Sequence, residues 1–186
     1  IRCKVKPEAY PWLDQAAREV NTVWNYANAT AHKALNPYYG KGKWLTGFDL
    51  NNLVAGVGEC FERIRIDVAQ KVCGEFADKR SQAKKPKLRF RASGGSRKAL
   101  GWIPFKAVNI RQKGNSLTFH GKRIRLFNDQ YYFQHRKACL KLREGEFSQD
   151  ALGNWYLNQV MDIAFASLPP LRDKSDPDYA LGLDPG

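Results

Sequence analysis

The sequence is poor in the residues that build thiol and metal chemistry. Its 186 residues include four cysteines, three histidines and one methionine. Cys3, Cys60, Cys73 and Cys139 form no CxxC pair, and no histidine stands near one at ligand spacing, so a zinc ribbon within this stretch is not expected. Secreted disulfide scaffolds are shorter and denser in cysteine, and the four thiols read as reduced and mostly buried. No apolar run approaches the roughly eighteen residues that a membrane-spanning helix needs. A basic-then-apolar leader is also missing, so no secretory signal is expected. His32, His120 and His135 sit in no triad-like context and read as ordinary surface or phosphate-proximal residues. Beginning at Ile1 and ending in Leu183-Asp184-Pro185-Gly186, the sequence reads as a piece of a longer chain.

Acidic residues are scarce too: 18 against 31 basic ones, a formal charge of +13. Placement says more than the total. Residues 1–83 carry 12 basic and 9 acidic groups, residues 84–147 carry 17 and 3, and residues 148–186 carry 2 and 6. The excess therefore lies in one middle segment. A patch that positive attracts a polyanion and releases its counterions on binding. Nucleic acid is the expected partner; an anionic membrane surface is the weaker reading, because these cations lie in strand-like segments rather than on a basic amphipathic helix.

The hydrophobic period divides the chain. Ile1 to Lys6 alternates apolar and charged residues, as a short strand does. Trp12, Ala16, Val20, Val23, Ala27 and Ala31 then recur at helical spacing until Asn36-Pro37 ends the pattern. Residues 37–47 read as a loop. Asp49 reads as the N-cap of a second helix running to about Lys79, striped by Leu50, Leu53, Val57, Phe61, Ile64, Val68, Val72 and Phe76. The two helices, with room for one more break, are expected to pack as an antiparallel hairpin. After the basic linker Lys84-Lys85-Pro86-Lys87 the period becomes two. Short strands are expected around Leu88–Arg91, Trp102–Phe105, Val108–Arg111, Ser116–Phe119, Ile124–Leu126, Ala138–Arg143 and Trp155–Val160, with a hairpin turn at Leu152-Gly153-Asn154. Strands of this spacing predict a small antiparallel barrel, which the first strand would complete, so that the helices form an insertion. The class is α+β. The organisation is residues 1–7 first strand, 8–83 helical insertion, 84–168 barrel, 169–178 polar linker, and 179–186 the start of another domain.

Three constellations carry candidate chemistry. Asp184 ends the apolar run Tyr179-Ala180-Leu181-Gly182-Leu183 and precedes Pro185-Gly186. A carboxylate there can hold a hard cation, and Asp-Pro-Gly is equally a turn signal. In the basic segment, Arg89, Arg91, Arg97, Lys98, Lys106, Arg111, Lys113, Lys122, Arg123, Arg125, Arg136, Lys137, Lys141 and Arg143 interleave with Phe90, Trp102, Phe105, Phe119, Phe127, Tyr131, Tyr132 and Phe133. The cations, with Lys84, Lys85 and Lys87 of the linker, are expected on phosphates; the rings stack on bases or, as the alternation favours, fill the core. Finally, Arg18, Asn21, Asn25, Asn28 and His32 share the polar face of the first helix. That face contacts nucleic acid or is simply solvated.

The order of these parts resembles the N-terminal half of the TnpB family, transposon-encoded RNA-guided nucleases related to type V CRISPR effectors. The resemblance is carried by Val23-Trp24-Asn25-Tyr26-Ala27-Asn28, by Lys84-Lys85-Pro86-Lys87-Leu88-Arg89-Phe90-Arg91, by Ser116-Leu117-Thr118-Phe119, by residues 147–158 and by Leu181-Gly182-Leu183-Asp184-Pro185-Gly186. It implies a wedge barrel gripping a guide RNA scaffold, an inserted helical recognition domain for the guide–target duplex and target-adjacent motif, and a RuvC-like nuclease domain whose first strand ends in the Mg²⁺ ligand Asp184. The family's remaining RuvC carboxylates, and any zinc, belong to a part beyond this sequence. The implied partners are guide RNA and target DNA with no membrane, in a bacterial, nucleoid-associated cytoplasmic setting. Alternatives are a nuclease-inactive RNA-guided repressor, a type V effector, and an RNA-binding protein without a guide. Pairing between guide and target supplies sequence readout in such a system, so the protein needs charge and shape.

Overall fold

A computed structural model describes residues 1–56, 60–114 and 116–163. Two antiparallel sheets and a helical layer make up an α+β fold. β1 (Arg2–Lys4) opens the chain, and four helices follow: α1 (Tyr10–Ala34), α2 (Pro37–Gly40), α3 (Gly47–Leu53) and α4 (Ile66–Ala83). Then come β2 (Trp102–Phe105), β3 (Ile110–Lys113), β4 (Ser116–Phe119), β5 (Lys122–Ile124), α5 (Asp129–Ala138), β6 (Cys139–Gln149) and β7 (Trp155–Ile163). One sheet has the order β1-β7-β6-β2, the other β3-β4-β5.

The first strand does join the last ones. Arg2 pairs with Asn158 and Lys4 with Tyr156, so β1 joins the last strand, and the helices stand in the chain between β1 and β2, the two edge strands of one sheet. The expected barrel is not formed: neither sheet closes on itself among the described residues. The sheets meet at a single bridge, Val5 with Leu126, flanked by backbone bonds from Lys6 to Arg125 and from Phe127 to Lys4. At the other end, among the described residues, β2 pairs only with β6 and β3 only with β4. Pro104 in β2 has no N–H to give a further neighbour, which suits an edge. The sheets nevertheless share a core, where the rings of Phe105, Phe119 and Phe147 stand 5.2–5.6 Å apart. Gly145 of β6 is required there, since a Cβ at that position would run into the Phe105 ring.

In the helical layer Ala16, Val20, Val23, Ala27 and Ala31 of α1 are buried, as the stripe predicts; Leu13 is buried with them, whereas Trp12, the first residue of the expected stripe, is half-buried against the same core. The second helix differs from expectation. It is two helices, and Thr46 rather than Asp49 is the N-cap of the first; Asp49 is its capping-box partner. Apolar periodicity runs across the break without registering it, yet the glycine at position 56 weakens helix there. The return is fixed from α1: the buried carboxylate of Glu19 accepts from the N–H groups of Arg63 and Ile64, at 3.0 and 2.9 Å. That extra reversal also overturns the antiparallel hairpin. Glu19 meets Ile64, Trp24 meets Phe76 and Ala31 meets Arg80, so α1 and α4 run in the same sense.

Two further differences concern local structure. Leu88–Arg91 forms no strand and pairs with none among the described residues, and residues 129–138 form a helix where no helix was expected. Residues 164–186 lie outside the described residues, so the linker, the final strand and Asp184 do too. No helix of the described residues is long and apolar enough to cross a membrane.

Candidate nucleic-acid interface

The three asparagines of the polar stripe on α1 face the protein's own chain, while His32 at its end is exposed. Asn28 is fully buried; its amide nitrogen donates to the Leu88 carbonyl at 2.6 Å and its oxygen accepts from the Leu88 N–H at 3.0 Å. Asn25 treats Arg91 in the same way, at 2.9 and 2.8 Å. Asn21 accepts from the Arg91 side chain at 2.7 Å and donates to Ser93 at 3.1 Å. Trp24 adds an indole bond to the Arg89 carbonyl at 3.3 Å. A primary amide offers both a donor and an acceptor, so each asparagine can stand in for a neighbouring strand. Residues 88–93 are thus held along the helix. The expected nucleic-acid contacts of Asn21, Asn25 and Asn28 are corrected accordingly, since these amides are spent within the fold. Arg18, on the same helix, is exposed.

The clamp determines what reaches solvent. Arg89 is exposed and Phe90 half-exposed, whereas Arg91 turns inward. The Arg91 guanidinium lies 5.4 Å from the Trp102 ring and 5.9 Å from the Trp24 ring, and it donates to the Leu100 carbonyl at 2.7 Å. Burial lowers its pKa, but no arginine loses its proton in water for that reason. It is a positioning residue, not a free phosphate ligand. Beyond Ser93 the chain turns at Gly95, whose φ of +72° favours glycine, and returns through the bridge of Ala92 with Lys98.

An open cavity of about 490 Å³ results, lined by Trp24, Lys79, Arg89, Phe90, Arg97 and Lys98 among others, and by no carboxylate. A second cavity of about 470 Å³ shares Trp24, Lys79 and Arg91 with it and adds Trp102. The Lys79 ammonium lies 5.9 Å from the Trp102 ring, and Lys87 lies 4.9 Å from that of Phe90. None of Lys79, Arg89, Arg97 and Lys98 is ion-paired among the described residues. Unpaired cations beside aromatic faces can hold a phosphate backbone and stack a base. Of the sequence-predicted residues, Arg89, Arg91, Arg97 and Lys98 are brought together here. Lys79 escapes sequence reasoning; it closes the far side from the last turns of α4, in a segment whose balanced charge gives no signal.

The other predicted cations lie elsewhere. Lys84 is the left-handed C-cap of α4, and Lys85 and Lys87 follow it in the open. Lys106, Arg111, Lys113, Lys122, Arg123 and Arg125 belong to or border the three-stranded sheet; Arg125 lies 3.6 Å from Glu8. Arg111 lines a separate cavity of about 350 Å³ with Arg65 and His120. Burial lowers the His120 pKa, against the Arg63 carbonyl and Asp67, which raise it. Arg136 of α5 donates to the Tyr132 hydroxyl at 3.0 Å and to the Ile110 carbonyl at 3.4 Å, so it ties α5 to β3, whereas Lys137 is exposed. Among the rings, Phe105, Phe119 and Tyr132 are buried, while Phe90, Phe127 and Tyr131 are exposed.

All four cysteines are free; Cys3 and Cys73 are buried and Cys60 is exposed. Burial pushes the Cys73 thiol up to about 12, which makes it inert. Among the described residues no three His, Cys, Asp or Glu side chains converge as a metal site. Compared with known proteins, the chain matches no family model and no curated protein.

Proposed function

We propose that this chain is the RNA-gripping region of an RNA-guided DNA endonuclease of the TnpB type. The observation that carries the reading is the carboxylate-free groove of Lys79, Arg89, Arg97 and Lys98 beside Trp24 and Phe90. Such a surface binds sugar-phosphate and unpaired bases without reading sequence, as a protein does when pairing supplies the readout. The helical insertion between β1 and β2 supports it further, because a recognition domain inserted in a wedge is the order the resemblance implies. On this reading the two sheets joined at Val5 and Leu126 are a wedge barrel left open between β2 and β3. The run 179–186 begins a RuvC-like domain, and Asp184 is one ligand of its Mg²⁺. The carboxylates that would complete that site belong to the part of the nuclease domain beyond Gly186.

The test uses the full-length protein from its native host. It should copurify with an RNA that ends in a variable, target-matching segment, and Asp184→Ala should abolish Mg²⁺-dependent DNA cutting. Combined Arg89→Ala, Arg97→Ala and Lys98→Ala substitutions remove three phosphate ligands. The slope of log K against log salt should then fall by about 2 for single-stranded RNA. An unchanged slope refutes the groove. Bound RNA with no variable segment indicates an RNA-binding protein without a guide, and guide binding without cutting indicates a repressor.

A further inference from the structure

The connection from α1 to α3 holds aromatic rings in water. Tyr38, Tyr39, Trp44 and Phe48 are 94%, 75%, 40% and 75% exposed. The connection is nonetheless tightly built. The Asn36 side chain accepts from the Tyr38 N–H at 2.9 Å, the Gly40 N–H donates to the Asn36 carbonyl at 2.7 Å, and the Lys43 N–H donates to the Ala34 carbonyl at 3.0 Å. Thr46 and Asp49 close the capping box, and Lys43 pairs with Asp49 at 2.6 Å. Trp44 is fixed from one side by the Arg80 guanidinium, 3.8 Å from its ring centroid. Exposure here is therefore a property of an ordered segment. Clustered apolar surface held out in this way marks an interaction site.

Charge selects the partner. From residue 33 to residue 48 the sequence has Lys33, Lys41 and Lys43 and no carboxylate. The nearby Asp49 already holds Lys43 and Thr46. Aromatic faces among unopposed ammonium groups suit a polyanion whose own rings stack. We infer that residues 36–49 form a second contact for single-stranded nucleic acid, in which unpaired bases stack on Tyr38, Tyr39 and Phe48 while Lys33 and Lys41 take phosphates. This rests on the nucleic-acid reading above but not on the groove, since the two surfaces share no residue.

The experiment compares two strands of about 15 nucleotides on the full chain, within the span of a few stacking modules. One is oligothymidylate; the other is an abasic tetrahydrofuran-phosphate strand of the same length. Y38S/Y39S/F48S should weaken oligothymidylate binding at least tenfold, given about five- to a hundred-fold per stack. Binding of the abasic strand and the salt slope should not change. Y38F/Y39F keeps the rings and should bind as the wild type does, and unchanged thermal melting of the serine variant shows that the fold survives. Equal affinities of wild type and serine variant for oligothymidylate overturn the inference, even if the groove variant binds weakly. Dimerisation of the wild type that is lost in the serine variant also overturns it, since a second copy would then be what covers the rings. If the wild type binds neither strand, the nucleic-acid reading falls as well.

Discussion

Asn28→Ala isolates the clamp that shapes the groove. The wild-type amide makes two short hydrogen bonds, both to the backbone of Leu88, from a fully buried position. Each is worth about 1–1.5 kcal/mol net, so the pair contributes about 2–3 kcal/mol. Alanine recovers about 0.6 kcal/mol as the better helix former. The balance is a loss of about 2 kcal/mol. With a urea m-value of about 2 kcal/mol/M, the unfolding midpoint should fall by about 1 M. The chain has a local escape, however: residues 88–93 can peel from α1 and take water as their partner. Amide hydrogen exchange separates the two responses. Peeling should raise exchange at Leu88 and Arg91 selectively while Val20 and Val72 in the helical core keep their protection. Asn25→Ala should act on the same unit, so the double variant should lose less than the two single losses added together. A midpoint within a few tenths of the wild type, with Leu88 and Arg91 protected as before, would refute the clamp.

Other residues give independent tests. Arg80 is fully buried with no carboxylate partner among the described residues, and its guanidinium reaches the carbonyls of Ala31, Leu45 and Pro86 at 3.2–3.5 Å. Arg80→Lys cannot fork to three acceptors and should cost about 2–4 kcal/mol in chemical denaturation; a loss under about 0.5 kcal/mol would count against this role. His120 has a pKa lowered by burial, so the unfolded imidazole takes a proton at higher pH than the folded one. The His120 contribution to stability should be level above about pH 7 and decline as pH falls through the ordinary imidazole range, and His120→Asn should remove that decline. Asp49 stays ionised throughout that window, because Lys43 and Thr46 hold it at about 2. A variant whose pH profile overlays the wild type would exclude His120 as the source.

What could be read from the sequence followed from periodicity. The α1 face, the first strand as a strand, and the hairpin between β6 and β7 all rest on patterns that local sequence carries, whereas the pairing of β1 with β7 does not. Burial of polar groups carries no such pattern. Asn21, Asn25 and Asn28 stand out as a stripe, but a stripe does not say whether water or another segment lies against it; the partner is about sixty residues away. Helix α5 is hidden for a different reason. Its Tyr131, Tyr132 and Phe133 favour strands, while the signals that do mark it are the Asn128 cap, which accepts from the Tyr131 N–H, and the closing His135, Arg136 and Lys137. The parallel course of α1 and α4 depends on Glu19, a helical carboxylate that looks solvated until its two amide partners are seen.

The pairing of Arg2 with Asn158 has a consequence for how the molecule is made. During translation β1 emerges first and must wait for β7, about 10–30 s later at ordinary elongation rates. Helices α1 to α4 contact one another and can assemble meanwhile. The β1 segment stays without its partner through that interval, and its N–H and C=O groups are open to other strands in the crowded nascent environment. Slowing synthesis just before Trp155 should therefore lengthen exposure of this seam and favour chaperone capture over misassembly.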